Sequence, residues 1–256
     1  MYDIEFLTDP TGRRVAAFGY HAGYAGAAIA LLAWAHQVQD PETACPSIQA
    51  YPSATALVTD IKRQMAAAAP RNDGRPPRVI IIGALGRCGT GAVDLCREAG
   101  ISESDILKWD VAETARGGPF AEIAAADVFV NCIYLSGTPI PPFVTRESLS
   151  VPGRKLRVVC DVSCDPTDPN NPVPLYREAT TFTEPTVPVQ GLQGDGPGLT
   201  VTAIDHTPSL VAREASEAFS RLLLPSLLTL DRREEEGVWV RAEKLFREKV
   251  KEIPSG

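Results

Sequence analysis

The chain has 256 residues, which allows one large domain or two smaller ones, and its 44% hydrophobic content is enough to bury a core. The formal net charge is -7, so the protein has no overall positive potential that would attract a phosphate backbone or an anionic lipid surface. Neither nucleic acid nor a membrane is therefore an expected partner. The six cysteines are spread through apolar segments, which argues against the dense disulfide framework of a small secreted domain.

The first predicted elements are two short strands, residues 2–7 and 14–18, joined by a turn at residues 9–12. A hairpin is not stable alone, and domains rarely begin with an apolar strand that has no earlier element to pair with. We therefore expect the sequence to be truncated at its amino end. Within the hairpin, Arg13 and Arg14 are suited to bind a carboxylate of an acidic substrate and Glu5 lies nearby; a solvated hairpin is the alternative interpretation.

Two helices are predicted next. The apolar stretch at residues 22–35 is interrupted by glycines and is shorter than a bilayer span, so it indicates a packed helix over about residues 20–37. No secretory leader with a cleavage site precedes it, and we therefore expect a cytoplasmic protein. Ser53 is placed to cap a second helix that runs to about Ala69.

From residue 78 onward, strands and helices alternate. The predicted strands are short, apolar and unalternating, which is typical of a parallel sheet that helices cover on both faces. They lie at residues 78–82, 106–110, 127–132, 156–162 and 199–204. Helices are predicted at residues 89–99, 209–230 and 238–252. The sequence therefore predicts an α/β fold with a Rossmann-like parallel sheet and flanking helices.

A glycine-rich turn follows the first of these strands, in the order Gly83-Ala84-Leu85-Gly86-Arg87-Cys88-Gly89, and a helix follows the turn. Glycines at this place permit a sharp turn and let backbone amides approach a pyrophosphate, which the amino end of the helix then favours electrostatically. The spacing is G-x-x-G-x-x-G and departs from the usual G-x-G-x-x-G. Alone it indicates nucleotide binding only weakly, and a plain tight turn is the alternative.

Asp110 strengthens this interpretation because it ends the next strand, about 20 residues beyond Gly89, the offset at which a carboxylate binds the adenine ribose. A carboxylate there repels the 2'-phosphate of NADP, so NAD is the predicted cofactor. The alternative is that Asp110 merely ends a strand. The glycine turn and the acid in this strand order favour the cofactor site.

Two further groups lie at predicted strand ends, where open parallel sheets bind ligands. Cys132 and Tyr134 follow one strand, and Cys88 lies in the glycine turn, so the two thiols are a candidate redox pair whose oxidation would close the cofactor site; two unrelated buried thiols are the commoner outcome. Asp205 and His206 follow a later strand, where they either contact a ligand or cap a helix. No second pair at zinc spacing accompanies the cysteines, and no metal site is predicted.

Several strings in chain order resemble the fungal NAD-dependent, lysine-forming saccharopine dehydrogenase family. They are residues 12–19, the glycine turn at 82–89, Lys108-Trp109-Asp110, residues 116–120, residues 131–136, residues 204–206 and residues 238–242. The resemblance runs over nearly the whole chain. It implies a monomeric enzyme with two Rossmann-like lobes that oxidises saccharopine with NAD and hydrolyses the imine to lysine and 2-oxoglutarate, within lysine biosynthesis by the aminoadipate route.

The resemblance also implies an arrangement of lobes and site residues. Residues 20–209 would form the NAD-binding lobe, and residues 1–19 with 210–256 would be the remnant of an incomplete first lobe. The residues implied to contact the cofactor are Gly83, Gly86, Arg87, Gly89 and Asp110, and those implied to lie near the substrate and the nicotinamide are Glu5, Arg14 and Asp205. Their positions at strand ends add Cys132 and Tyr134 to the candidate cofactor residues and His206 to the candidate substrate residues.

One departure from the family pattern affects catalysis. The acid-base lysine and histidine of the family would lie upstream of Met1, so no catalytic residue is assigned in this sequence. We expect a fragment of the enzyme, and a non-catalytic NAD-binding remnant is the alternative. A two-lobe relative acting on another amino acid, such as an alanine or opine dehydrogenase, is a third interpretation, against which the match at residues 238–242 argues.

Overall fold

The computed structural model describes residues 2–135 and 139–252. Met1, which the sequence assigned to the remnant of the first lobe and before which the acid-base pair of the family is expected, lies outside the described residues. So does residue 136, the end of one string that resembles the family. Both of these expectations therefore stay predictions.

Two compact units are present. Gly19–Ala212 forms one, and the described residues up to Phe18 and from Arg213 onward form the other. The predicted lobe boundaries lay at residues 19/20 and 209/210, and the identity of the smaller unit as an incomplete first lobe stays a prediction. Within the described residues, no helix has the length and apolar character needed to cross a membrane.

The larger unit contains a six-stranded sheet whose order is β2-β1-β3-β4-β6-β5. All neighbouring strands pair in parallel except β5 and β6, which are antiparallel. The strands are β1 Val79–Ile82, β2 Ile106–Trp109, β3 Val128–Asn131, β4 Val158–Asp161, β5 Val187–Pro188 and β6 Thr200–Thr202. The predicted α/β class with a parallel sheet is thereby confirmed, and the two-residue strand β5 is the one that the sequence did not indicate.

Helices cover both faces of this sheet, which explains why the strand sequences do not alternate. One face, with Ile81 of β1 and Val130 of β3, packs in a core with helix α1 Gly19–Gln39 and helix α3 Arg87–Glu98. The opposite face packs around Ile80 and Phe129. The remaining helices are α2 Ala54–Ala68, α4 Val111–Thr114, α5 Ala121–Ala125, α6 Arg146–Leu149, α7 Ala212–Leu227 and α8 Gly237–Glu252.

The longer predicted helices are confirmed. Ser53 caps α2 as expected, since its hydroxyl oxygen accepts a 3.1 Å hydrogen bond from the amide of Ala56. The tail helix differs in one respect: a 3-10 turn, Thr207–Val211, precedes α7. Proline at the start of that turn lacks an amide hydrogen, which suits the first turn of a helix.

Helices α1 and α3 run side by side with their backbones in contact. A Cβ atom on Gly23 of α1 would lie 1.8 Å from the carbonyl oxygen of Cys88, and one on Gly91 of α3 would lie 1.9 Å from that of Tyr20. Farther along, the hydroxyl of Tyr24 donates a 2.6 Å hydrogen bond to Glu98. Because both backbone contacts require glycine, the sequence of these helices fixes their close approach and brings their amino ends together.

The predicted amino-terminal hairpin is only partly present, and its two strands are wrong. Ile4–Phe6 forms a 3-10 helix, which the carboxylate of Asp3 stabilises by accepting the Glu5 amide at 2.9 Å. The pairing that remains among the described residues is a single antiparallel bridge between Thr8 and Arg14. This local cap competes with the strand conformation because a short Asp side chain binds backbone amides two residues away.

The turn between these segments is present at the predicted place. The Asp9 carboxylate accepts hydrogen bonds from the amides of Thr11 at 2.8 Å and Arg13 at 3.0 Å, and Gly12 adopts a φ of 84°. This smaller unit has a separate hydrophobic cluster of buried residues, which consists of Leu7, Ala16, Phe219, Leu223, Trp239 and Ala242. The apolar residues therefore pack against helices α7 and α8 and do not extend a sheet.

Candidate dinucleotide-binding site

The glycine turn after β1 is shaped by close backbone contacts. Gly83 has a φ of 83°, and a Cβ atom there would lie 2.9 Å from the carbonyl of Cys132. A Cβ on Gly89 would lie 2.1 Å from the Gly83 oxygen. On Gly86 it would meet only that oxygen, at 3.3 Å, among the described atoms. The fold thus requires glycine at 83 and 89, whereas at 86 the space next to the turn is open to a ligand.

Helix α3 begins directly at this turn, with Gly86 as its N-cap. The first intrahelical hydrogen bond joins the Thr90 amide to the Gly86 oxygen at 2.9 Å, so the amides of the first turn lie before the regular ladder. Arg87 is the first residue of α3, and its side chain lies against Gly19, where α1 begins. Two helix amino ends and a guanidinium therefore meet at one edge of the sheet, which favours an anion.

Asp110 follows β2 and lies beside the glycine turn. Its Oδ2 atom accepts a 2.9 Å hydrogen bond from the amide of Leu85, and its Oδ1 atom accepts one of 2.9 Å from the amide of Val111. The Glu113 carboxylate in turn accepts the Asp110 amide at 2.8 Å and completes a capping box for α4. In the same capping box the Asp110 side chain also accepts the backbone amide of Glu113, so three amides occupy its about four acceptor positions and one position is left for a ligand hydroxyl.

Two large apolar side chains flank this carboxylate and are exposed: Leu85 is 81% and Val111 77% accessible. Neither residue was predicted from the sequence as part of the site. The pattern that could have indicated them is an apolar residue inside the glycine turn and another directly after the ribose acid, because turns usually carry polar residues at such positions. Apolar groups beside a hydrogen-bonding carboxylate are suited to the flat faces and the sugar edge of a nucleoside.

The tips of β3 and β4 continue the same edge. Cys132 is buried after β3 and its thiol neighbours that of Cys88; this neighbour, burial and nearby charge raise the pKa of Cys132 well above its usual value. The structure therefore brings the two predicted thiols together, as free cysteines. Tyr134, two residues farther on, is 82% exposed.

Asn131 and Asp161 are the last residues of β3 and β4 and stand opposite each other in the parallel register. Both are buried, and the Asn131 amide nitrogen donates a 2.9 Å hydrogen bond to Asp161. The sequence does not indicate that these two residues are buried, because a strand-end position does not reveal what the following loops cover.

Asp205 and His206 follow β6 and are exposed. The imidazole of His206 meets the ring of Phe182 edge to face, with centroids 5.4 Å apart. The next residue, Thr207, donates a 3.1 Å hydrogen bond from its hydroxyl to the carbonyl oxygen of Ala22, in the first turn of α1. This contact places the Asp205–His206 pair next to the helix amino ends described above.

Glu5 and Arg14, the two candidate substrate residues of the hairpin, belong to the smaller unit. They form an ion pair with 3.5 Å between the guanidinium nitrogen and the carboxylate oxygen, and their side chains are 50% and 41% exposed. An exposed pair of this kind contributes little to stability. Among the described histidines, cysteines and acids, no group of three is arranged to hold a metal ion.

Comparison with solved structures concerns the fold. The chain is similar to an L-alanine dehydrogenase with a TM-score of 0.58 at 16% identity, over 94% of this chain and 63% of that one. At this identity the likeness supports the Rossmann-like architecture alone. No family model matches the chain.

Comparison with curated proteins gives much closer relatives. The chain is 56% identical over 253 residues to saccharopine dehydrogenase [NAD(+), L-lysine-forming] of Schizosaccharomyces pombe, covering 99% of this chain and 68% of the relative. It is 58% identical over 254 residues to the protein of the same name from Neurospora crassa, covering 99% and 67%. The chain spans about two thirds of the length of these relatives. It belongs to the NAD(+)-dependent, L-lysine-forming saccharopine dehydrogenase family.

Proposed function

We propose that the Gly19–Ala212 unit binds NAD+ along the carboxyl-terminal edge of its parallel sheet. The observation that carries this proposal is the hydrogen bond between the Leu85 amide and Asp110, because it joins the predicted phosphate turn to the predicted ribose acid. The relatives carry NAD(+) in their names, which supports the same cofactor here.

In this proposal the diphosphate lies at the amino end of α3. Gly86 leaves room for its approach, the first-turn amides donate hydrogen bonds to its oxygens, and Arg87 adds a positive charge. Gly83 and Gly89 keep the turn in the shape that this contact needs. The pyrophosphate charge is thus met by backbone dipoles and one guanidinium.

The adenosine half lies at Asp110. Its carboxylate accepts a ribose hydroxyl with the acceptor position that the amides of Leu85, Val111 and Glu113 leave free. The exposed side chains of these two residues flank the base. A 2'-phosphate at this place would meet the negative carboxylate, so NAD+ is preferred to NADP+.

The nicotinamide half extends past the strand tips, where Cys132 and Tyr134 follow β3. Bound NAD+ supplies a hydride acceptor. We propose that the enzyme to which this chain belongs oxidises saccharopine to L-lysine and 2-oxoglutarate. Asp205 and His206 are the proposed residues of this unit near the reacting end, and they lie beside the first turn of α1.

Glu5 and Arg14 are the proposed substrate residues of the smaller unit. A guanidinium suits a substrate carboxylate and a carboxylate suits a protonated amine, and saccharopine carries both groups. We assign the acid-base lysine and histidine of the family to no residue of this sequence. NAD+ binding without turnover is the second candidate function.

Two measurements on the 256-residue chain test these proposals. Calorimetric titration with NAD+ and NADP+ is expected to give an affinity at least about tenfold higher for NAD+, a difference of about 1.4 kcal/mol. Absence of NAD+ binding would refute the cofactor proposal. Incubation with saccharopine and NAD+ then distinguishes the two functions, since NADH absorbance appears only if the chain turns over.

Location in the cytoplasm and a monomeric state are further proposals, of which the monomeric state follows from the family resemblance. Size-exclusion chromatography with light scattering tests the second of these directly. A molar mass of 27.5 kDa is expected for the monomer, and twice that value would contradict it.

A further inference from the structure

A buried carboxyl group lies behind the strand tips, and the cofactor contacts proposed above give it no role. Asp161 ends β4 and is 1% exposed. Its Oδ1 atom accepts hydrogen bonds from Asn131 Nδ2 at 2.9 Å and from the Ser163 amide at 3.2 Å, and its Oδ2 atom accepts one from the Tyr176 hydroxyl at 2.7 Å. All three donors are neutral groups, so an ion pair does not account for the carboxyl in this place.

The three donors come from three different segments. Asn131 ends β3, Ser163 follows β4, and Tyr176 lies in the long loop between β4 and β5. Ser163 also donates from its hydroxyl to the carbonyl oxygen of Ile133 at 2.5 Å, so the turn after β4 holds the chain after β3. Asn171 extends the network with a 3.5 Å hydrogen bond to the Tyr176 oxygen. One carboxyl group therefore holds in place the segments that follow the two adjacent strands β3 and β4.

The held segment packs against the phosphate turn. Cys132 lies between Asn131 and Ile133, and its amide donates a 2.9 Å hydrogen bond to the carbonyl oxygen of Ile82. A Cβ atom on Gly83 would lie 2.9 Å from the Cys132 carbonyl, so the two backbones are in direct contact. A shift of the segment that follows β3 must therefore change the part of the cofactor site that lies just beyond the glycine turn.

We infer that Asp161 is a positioning residue for the nicotinamide half of NAD+. The inference rests on the cofactor proposal above and deepens it. The adenosine half is assigned to the β1 and β2 side of the edge, at Asp110, whereas the nicotinamide half has to pass the tips of β3 and β4. Asp161 fixes those tips from behind without touching the ligand.

The ionisation of the network agrees with this role. Burial raises the pKa of Asp161, and the hydrogen bonds from Tyr176 and Asn131 act in the opposite direction. Burial and the adjacent carboxyl raise the pKa of Tyr176 above its usual value, so the phenol retains the proton that it donates. Hydrogen bonds that converge on one buried carboxyl group hold their donors in one arrangement, although the Oδ1 atom of Asn131 has no partner among the described residues.

The substitution Asp161→Asn tests the inference. It keeps the size of the side chain but replaces one acceptor oxygen by an amide nitrogen, which cannot accept the hydrogen bonds that the surrounding groups donate. We expect the Kd for NAD+ to rise about tenfold while the Kd for ADP stays within about twofold of wild type. Glu178→Gln is the matched control, since it changes an exposed acid of the same loop to its amide and should alter neither Kd. Thermal melting of the ligand-free proteins is recorded beside the titrations.

Tyr176→Phe is the second variant, which removes one donor and leaves the carboxyl in place. It should show the same selective loss of affinity for NAD+ over ADP. If Asp161→Asn does not fold, the result with Tyr176→Phe tests the inference alone. Equal losses for NAD+ and ADP, or no loss for either, overturn the inference and leave a purely structural role. If the wild-type chain binds neither ligand, the cofactor proposal itself fails, which is a distinct result.

Discussion

The amide nitrogen of Leu85 lies 2.9 Å from Oδ2 of Asp110 and donates a hydrogen bond to it. Leu85 belongs to the turn after β1 and Asp110 follows β2, so one bond joins the two segments proposed to hold the diphosphate and the ribose. The carboxylate thereby has a structural and a ligand-binding use. Variants at this position have to separate the two.

The substitution Asp110→Asn removes the charge and one of the two acceptor oxygens while keeping the size of the side chain. We expect the Kd for NAD+ to rise about tenfold to a hundredfold, because hydrogen bonds to a charged group contribute about 1.5–3 kcal/mol. The preference over NADP+ should also decrease, since the repulsion of the 2'-phosphate is lost. Calorimetry with both cofactors measures this, with Asp73→Asn, which alters an exposed acid, as control. An unchanged ratio of the two affinities would contradict the assignment of the ribose to Asp110.

Gly86→Ala and Gly89→Ala form a matched pair. At Gly89 the added Cβ would lie 2.1 Å from the Gly83 oxygen, and we expect a loss of at least about 2 kcal/mol of folding stability. At Gly86 it would meet one oxygen at 3.3 Å with φ at -73°, so stability should change little while NAD+ binding weakens at least about tenfold. Thermal melting and titration distinguish the two effects. Retained NAD+ affinity in Gly86→Ala would show that the diphosphate does not approach there.

The exposed side chains of Leu85 and Val111 are expected to contribute binding and not stability. Replacing either by Ser should raise the Kd for NAD+ and for ADP about threefold to tenfold, because an apolar contact with the base is lost. The melting temperature should remain close to that of wild type, since both side chains are exposed in the free protein. Val240→Ser, which changes an exposed valine of α8, is the control. A fall in melting temperature without a change in Kd would count against the adenosine assignment.

The contact between the thiols of Cys88 and Cys132 predicts sensitivity to oxidation. A two-electron oxidant such as diamide would join the two sulfurs with loss of both protons, and the disulfide should lower NAD+ affinity by drawing the phosphate turn to the β3 tip. Thiol counting should show a loss of two thiols, reversed by dithiothreitol. Because the pKa of Cys132 is raised, the reaction should accelerate as the pH rises. Cys88→Ser is expected to abolish the effect, and unchanged NAD+ affinity after loss of the two thiols would disprove it.

The sheet and the cofactor turn were predictable from the sequence because short-range signals determine them. Val79–Ile82 is apolar throughout since helices cover both faces, and the glycines at 83 and 89 are required by close backbone contacts at the turn. Ser53 likewise caps its helix through a bond three residues away. Where the stabilising contact is local, the residue pattern indicates it.

The predictions from the sequence are wrong or missing where tertiary contacts determine the local structure. Residues 2–7 have the composition of a strand, but the Asp3 cap and the burial of Leu7 against Trp239 and Phe219 give a 3-10 turn instead. Strand β5 has two residues, one of them Pro188, which few sequence signals would assign to a sheet. The burial of Asp161 depends on the loop that brings Tyr176 over it, and no pattern near residue 161 reveals that loop.

The glycine contacts between α1 and α3 have a mechanical consequence. Gly23 and Gly91 leave backbone directly on backbone, so at these two points no side chain lies between the helices to absorb a relative displacement by changing its rotamer. A rotation of α1 must carry the Cys88 peptide with it, and with that peptide the first turn of α3. Any ligand that stiffens one of these helix ends will therefore reduce the motion of the other, and hydrogen exchange in the first turn of α1 should report binding at the first turn of α3.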